Sequence, residues 1–358
     1  MRRGLTTLLL AFFLGLAFSL QALYLSIDPP ELWDSSSAVI IGKVTDSQVQ
    51  EEGTGNIATY FTISLEKVFK GNISKYLLLR LPGGEINGFG LSVSDIPKLV
   101  KGERLLLFLG ENPDHSFYIL GGFQGKISLK NGNALEWNIT EKELLQRLSL
   151  GSAGLVGLEY NPSATTSYGI CKDSVTGNKI YWTSGAPTGG WTINDNDPSG
   201  LSSQQLQDAY NASANAWNQA GACFSFGSVT NIISDSSLTS KKQDGVNVLT
   251  FGVPESGAFA TTYYWYYSSG QLIECDTVFD NTLTWAVPGC NNRSAYDLQN
   301  VATHEFGHWL CLNDLTSRLD ILETMFLYGL PGGCQKQTLY SGDIAGIQAI
   351  YGACKKKD

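Results

Sequence analysis

Residues 304–314 read HEFGHWLCLND. His304 and His308 are four apart, so on a helix both side chains leave the same face. Two imidazoles at that spacing can bind one zinc ion, and Glu305, next to the first, is placed to act on a water as general base. Apolar Val301, Phe306, Leu310 and Leu312 surround the motif, and the pattern predicts a helix over 296–312. The chain has three histidines in all, and two fall here. The bland alternative is a helix that contains HExxH by accident. A catalytic zinc takes three protein ligands and keeps a position open. No histidine follows His308, which leaves Asp314, Asp320, Glu323 and the cysteines as candidates. A helix stopping near Cys311 or Leu312 would let the chain turn back and bring Asp314 to the metal, with Asn313 as the residue suited to a left-handed turn. Glu323 would need a second helix to present it.

Outward from this helix, SGDIAGIQAIYG (341–352) reads as another helix, with Asp343 near its N-terminus and a glycine to end it. LSSQQLQDAYNASANAWNQAG (201–221) reads as a long amphipathic helix capped by Ser202 or Ser203. KIYWTS, GVNVLTFG and LIECDTVF read as strands. A mixed sheet with three helices is an α+β domain, here 169–358. Before it, AVIIGKV, TYFTISLEKVFKG, KYLLLRL, RLLLFLG, FYILGG and GKISL are short apolar or alternating runs. PGGE (82–85) and KNGNA (130–134) are turn signals between them. Residues 23–150 are therefore expected to be a small all-β module, a barrel or sandwich, closing on a helix at 141–150. Residues 151–168 are expected to be a linker. The β-module shows no cluster of His, Cys or paired acids and is read as an ancillary or pro-domain.

HEFGHWLCLND resembles the metzincin signature HExxHxxGxxH, in a variant with aspartate as third ligand. TMFLYG (324–329) resembles the Met-turn beneath the zinc, and SGDIAGIQAIYG the closing helix of matrixin catalytic domains. YWTSGAPTGGWTINDNDPSGLSSQQLQDAYNASANAWNQAGACFSF resembles their opening strand and helix, and IECDTVFD the strand after the cleft edge. The likeness covers about residues 165–354. It implies a matrixin-like zinc metallopeptidase domain (a mixed twisted sheet plus three helices) that cleaves protein or peptide substrates. His304, His308 and Asp314 would hold Zn²⁺, Glu305 would be the base, and Met325 would floor the site. GAFATT (257–262) would be the edge strand that hydrogen-bonds an extended substrate. The rival reading is a non-catalytic binding or adhesion protein on a degenerate metzincin fold. Two departures stand out. Cys311 occupies the glycine position, where a left-handed Cβ costs on the order of 1 kcal/mol, so the turn is expected to shift to Asn313. The matrixin latency motif PRCGxPD is missing, and Cys171 is the one cysteine just ahead of the domain, open to a disulfide or to a thiolate bond to the metal.

Composition agrees with this class. Hydrophobic residues make up 43% and charged residues 16%, a mix that buries a core. The net charge is -9, and residues 160–358 hold 10 Lys+Arg against 17 Asp+Glu. That argues against nucleic acid or an anionic membrane as partner. It suits a structural Ca²⁺, for which Asp276 and Asp280 are candidates. The N-terminus, MRRGLTTLLLAFFLGLAFSLQA, has the layout of a secretory signal peptide over 1–22. Uncleaved, it would anchor the chain, and no other segment is long enough to span a membrane. All seven cysteines lie from 171 onward. Export with clustered cysteines predicts disulfides, and an odd count leaves a thiol over. Cys334 is the expected partner of Cys311.

Overall fold

The computed structural model describes residues 27–53, 55–73, 76–162, 167–238, 242–255 and 257–354. The expected signal peptide lies outside the described residues. A short helix, α1 (Pro29–Ser35), leads into β1 (Ala38–Glu51), β2 (Ile57–Lys70), β3 (Tyr76–Pro82), β4 (Gly84–Ile86), β5 (Phe89–Val93), β6 (Arg104–Glu111), β7 (Phe117–Ile119), β8 (Lys126–Lys130), β9 (Asn133–Ala134) and β10 (Ile139–Thr140). Strands β1, β2, β3, β7 and β6 pair in that order, and β6 pairs back onto β1. The N-terminal region is thus a closed five-stranded barrel, which leaves none of those strands as a free edge.

Alternation along β6 explains why RLLLFLG reads as an unbroken apolar run. Leu105, Leu107 and Leu109 point into the barrel with Ile40, Ile63 and Leu79. Leu106 and Phe108 point out, beneath Trp137 and the helix α2 (Glu141–Leu148), whose Leu144 and Leu148 cover them. Both faces are buried, so neither needs polar residues.

At PGGE the chain leaves the barrel. Gly83 and Gly84 take φ of 95° and 145°, and a Cβ on Gly84 would lie 2.7 Å from Thr59 Oγ1. Only glycine fits this exit. The hairpin β4–β5 that follows does not belong to the barrel sheet. It joins the sheet of the C-terminal region.

That region contains β11 (Gly169–Ile170), β12 (Thr192–Asn194), α3 (Ser203–Asn218), β13 (Asn231–Ile233), β14 (Val248–Gly252), β15 (Ala260–Tyr267), β16 (Leu272–Asp280), β17 (Trp285–Ala286), β18 (Tyr296–Asp297), α4 (Leu298–Trp309), β19 (Leu312–Asn313) and α5 (Ser341–Tyr351). It is α+β with three α-helices among the described residues. Its sheet runs β13-β12-β14-β16-β15-β5-β4, parallel from β13 to β16 and antiparallel at β15. Ser202 caps α3 in a capping box with Gln205, which settles the start of that helix. Helices α3 and α4 pack through Trp217, whose indole N–H donates to Thr303 O at 2.7 Å.

Three expectations need correction. KIYWTS is not a strand: Lys179 and Tyr181 each make one isolated bridge, and the segment is anchored by the buried Trp182, whose indole donates to Trp309 O at 2.8 Å. The disulfides are Cys223–Cys354 and Cys290–Cys334, so Cys334 is not the partner of Cys311. Cys171, Cys275 and Cys311 are free and buried. The GAFATT segment does not leave an open edge, because β5 covers the outer side of β15.

Candidate metal centre

Helix α4 begins at Asp297, whose carboxylate accepts from Asn300 N–H at 2.7 Å. It is buried along nearly its whole length. His304, Glu305 and His308 are all within the interior. The imidazole Nδ1 atoms meet backbone carbonyls, His304 with Thr324 O at 2.7 Å and His308 with Leu312 O at 2.8 Å. Each Nδ1 carries the proton that makes that bond, so in its neutral form each ring presents an Nε2 lone pair. Those lone pairs face each other at 3.1 Å.

The chain reverses after α4 at Cys311 itself. Its φ is 66°, and its N–H donates to His308 O at 2.8 Å. The expected shift of the turn to Asn313 does not occur, because Asn313 is held extended in β19 against β11. The left-handed cysteine is offset by complete burial of its side chain. Beyond β19, Leu315 N–H donates to Met325 O and Leu327 N–H to Leu315 O, both at 2.8 Å. Clamped on both sides, Asp314 presents Oδ1 at 3.1 Å from His304 Nε2 and 3.4 Å from His308 Nε2.

A tetrahedral zinc with bonds of about 2.0–2.1 Å separates its donor atoms by roughly 3.3 Å. The three separations here match that figure, and two neutral imidazoles with one carboxylate are a donor set zinc accepts. Charge points the same way. Burial and the Lys336 ammonium push His304 down to about 3. Burial opposes a proton on His308 too, yet Asp314 outweighs it and lifts His308 to about 10. The two imidazoles hold the Asp314 carboxyl well below its usual range against its burial. The three donor atoms converge on one point, where together they could hold a metal ion.

Of the other candidates, Glu323 is turned away: its Oε2 accepts from Asp343 N–H at 3.0 Å, at the start of α5. Asp320 caps no metal cluster among the described residues. Cys171 Sγ sits beside Asn313 Oδ1 and the Tyr264 hydroxyl, at 3.3 and 3.1 Å, in the core. It neither reaches the metal position nor forms a disulfide. Asp276 is buried with Oδ1 accepting from Val248 N–H, and Asp280 accepts from Thr282. Neither joins a three-donor cluster among the described residues.

Glu305 is oriented by a polarised chain of hydrogen bonds. The Trp309 indole donates to Thr277 Oγ1 at 2.8 Å, and Thr277 and Thr262 hydroxyls meet at 2.7 Å. Thr262 Oγ1 then donates to Glu305 Oε2 at 2.7 Å. An indole only donates, so both hydroxyl protons point toward the carboxylate. Burial lifts Glu305 to about 7. The sequence held no cue to Thr262 or Thr277, which are ordinary β-branched strand residues in β15 and β16.

Met325 lies directly under α4. A Cβ on Gly307 would come 2.1 Å from Met325 Sδ and 2.9 Å from Trp217 Cζ2. Gly307→Ala is therefore expected to lower stability by about 1–3 kcal/mol, read as a drop in thermal midpoint. Trimming the sulfur in Gly307→Ala/Met325→Ala should make the loss less than additive. Two further groups hold this floor. Lys336 is buried and donates to Thr324 O at 3.0 Å and to Phe326 O. Asp343 accepts from Thr324, Met325 and Tyr340 N–H groups at 2.7, 3.1 and 2.9 Å.

The comparisons with known proteins fall on this region. A family model described as matrixin matches residues 182–352. Human matrix metalloproteinase-20 is 30% identical over 155 residues, which is 43% of this chain and 29% of that protein. Human matrix metalloproteinase-25 is 33% identical over 99 residues, 28% of this chain and 17% of that protein. The chain spans less than a third of the length of either relative. With the matched span enclosing helix α4, the turn at Met325 and helix α5, residues 182–352 of this chain are a matrixin domain.

Proposed function

We propose that the chain is a secreted zinc-dependent endopeptidase, with His304, His308 and Asp314 as the metal ligands and Glu305 as the general base. The observation that carries this reading is the triangle of donor atoms at 3.1, 3.1 and 3.4 Å, with a hydrogen-bonded carboxylate next to it. Zinc held there supplies Lewis acidity to a water and to the scissile carbonyl. Glu305 accepts the proton of the attacking water and returns it to the leaving amine. The Thr277–Thr262 relay keeps the carboxylate aimed during both transfers. Met325 and the Asp343-bound turn hold the floor on which His304 rests.

Two disulfides support work outside the cell, since such bonds persist in oxidising compartments. No helix among the described residues is long and apolar enough to cross a membrane. The matrixin match favours a protein or peptide substrate. The rival reading, a binding protein on a degenerate peptidase fold, gives no reason to keep Glu305 hydrogen-bonded beside the ligands.

Zinc content decides the metal half of the proposal. The purified chain should carry one zinc per molecule, and His308→Ala should lose it by a factor of about 10² or more in affinity, since it removes one donor of the His304–His308–Asp314 triangle. Casein hydrolysis, by the chain as made or after limited proteolysis, should stop on chelation and return with zinc. A chain that holds zinc yet cleaves nothing in either state would favour the binding reading.

A further inference from the structure

The barrel region does more than precede the matrixin domain. Residues 89–93 form an added strand on the outer side of β15, antiparallel, with Val93 opposite Tyr263 and Phe89 opposite Tyr267. Pairing continues one step further: Ser94 N–H donates to Thr262 O, and Thr262 N–H donates to Ser94 Oγ, both at 2.9 Å. Thr262 is the residue whose hydroxyl holds Glu305. The strand therefore runs up to the catalytic carboxylate and occupies the backbone groups that an extended substrate would use.

The next residue is Asp95. It is 4% exposed, and its φ is 64°, a left-handed conformation that few non-glycine residues adopt. Its N–H faces Asp314 Oδ2 at 3.4 Å, and Ser94 Oγ donates to its Oδ2 at 2.8 Å. A carboxylate oxygen of Asp95, one of Asp314 and a ring nitrogen of His308 lie within 4.8 Å of one another. Asp95, Glu305 and Asp314 thus bring three carboxyl groups into one buried pocket. Like charges at that range repel strongly in a low dielectric, and the repulsion is relieved either by protonation or by a divalent ion held between the carboxyl groups. A strained backbone at such a site points to a role rather than to chance.

We infer that Asp95 is a fourth protein ligand of the metal held by His304, His308 and Asp314, and that the barrel region thereby keeps the peptidase latent. The inference rests on the metal reading above. Four protein ligands close a tetrahedral zinc and remove the open position that a water needs. The added strand blocks the substrate's ladder at the same time. The inhibitor is this chain's own residues 89–95, and activation requires removing that segment from β15, by cleavage between it and the matrixin domain or within it. No cysteine is needed, which accounts for Cys171 being buried elsewhere.

The test uses the full chain loaded with Co²⁺ in place of zinc, as wild type, Asp95→Ala and Asp95→Asn, and reads the visible ligand-field spectrum and the affinity for acetohydroxamate. A tethered ligand competes at an effective concentration of about millimolar or more. Its loss should change the spectrum and tighten acetohydroxamate by about tenfold or more, while casein hydrolysis still waits on removal of the strand from β15. If cobalt binds all three proteins and neither spectrum nor acetohydroxamate affinity changes, Asp95 is not a ligand and the inference is overturned. If cobalt fails to bind even the wild type, the metal reading itself falls. Should Asp95→Ala fold poorly, the near-isosteric Asp95→Asn carries the same comparison.

Discussion

Glu305→Gln is expected to retain its zinc and lose casein hydrolysis by roughly 10²–10⁴-fold, the range of a general base. Glutamine keeps the shape and still accepts a hydrogen bond from Thr262. It cannot take a proton from water. Glu305 is not one of the three proposed ligands, so zinc content separates a lost base from a lost site. The measurement pairs metal analysis with turnover, made on chain in which the 89–95 segment has been displaced by limited proteolysis. Activity close to that of the parent would remove Glu305 from the mechanism. Thr262→Val, which deletes the final donor in the relay, should give a smaller loss in the same assay and is the positioning counterpart of this experiment.

The second large effect is expected at a residue that touches no metal. Asp343 is buried, and its two oxygens take three backbone N–H groups, from Thr324, Met325 and Tyr340. Asp343→Ala leaves all three donors inside the protein without that partner. At about 1–3 kcal/mol for each unsatisfied group, the loss approaches the whole stability of an ordinary domain. Chemical denaturation should show a collapse of the midpoint, and any folded fraction should bind zinc poorly, because Thr324 O orients His304. Asp343→Asn, which keeps one acceptor oxygen, should fall between. A midpoint within error of the parent for Asp343→Ala would mean that the turn holds itself.

Local patterns made much of this architecture readable. The capping box at Ser202 and Gln205 begins α3 where the sequence places it, within two residues. The i, i+4 histidines lie on one face of α4, as spacing requires, and SGDIAGIQAIYG forms α5 and ends at Gly352. The short apolar runs of the first region became strands of the barrel and of its extension at β8, with Asn131 and Gly132, both at positive φ, turning β8 into β9. Other features were not legible. KIYWTS has strand composition but is held by the indole of Trp182 in place of a ladder. Cys311 violates the local preference for glycine and keeps the left-handed turn, because both neighbours in the chain are already committed, one to the helix end and one to β19. The chain between Pro82 and Lys98 reads as one more piece of a β-module, yet it pairs across to β15.

What the sequence determined by itself is whatever depends on residues a few positions apart: helix faces, caps, turns, the alternating strands of the barrel, and the pair of imidazoles with a glutamate between them. Only the tertiary structure decided which carboxylate completes the triangle, that two threonines aim the base, and that Asp95, distant along the chain, enters the same pocket from the other region. Spacing carries information only along an element whose period is known. Contacts made through sheet edges and buried carboxyl groups join segments whose separation in the chain has no period, and their geometry exists only once both regions have packed.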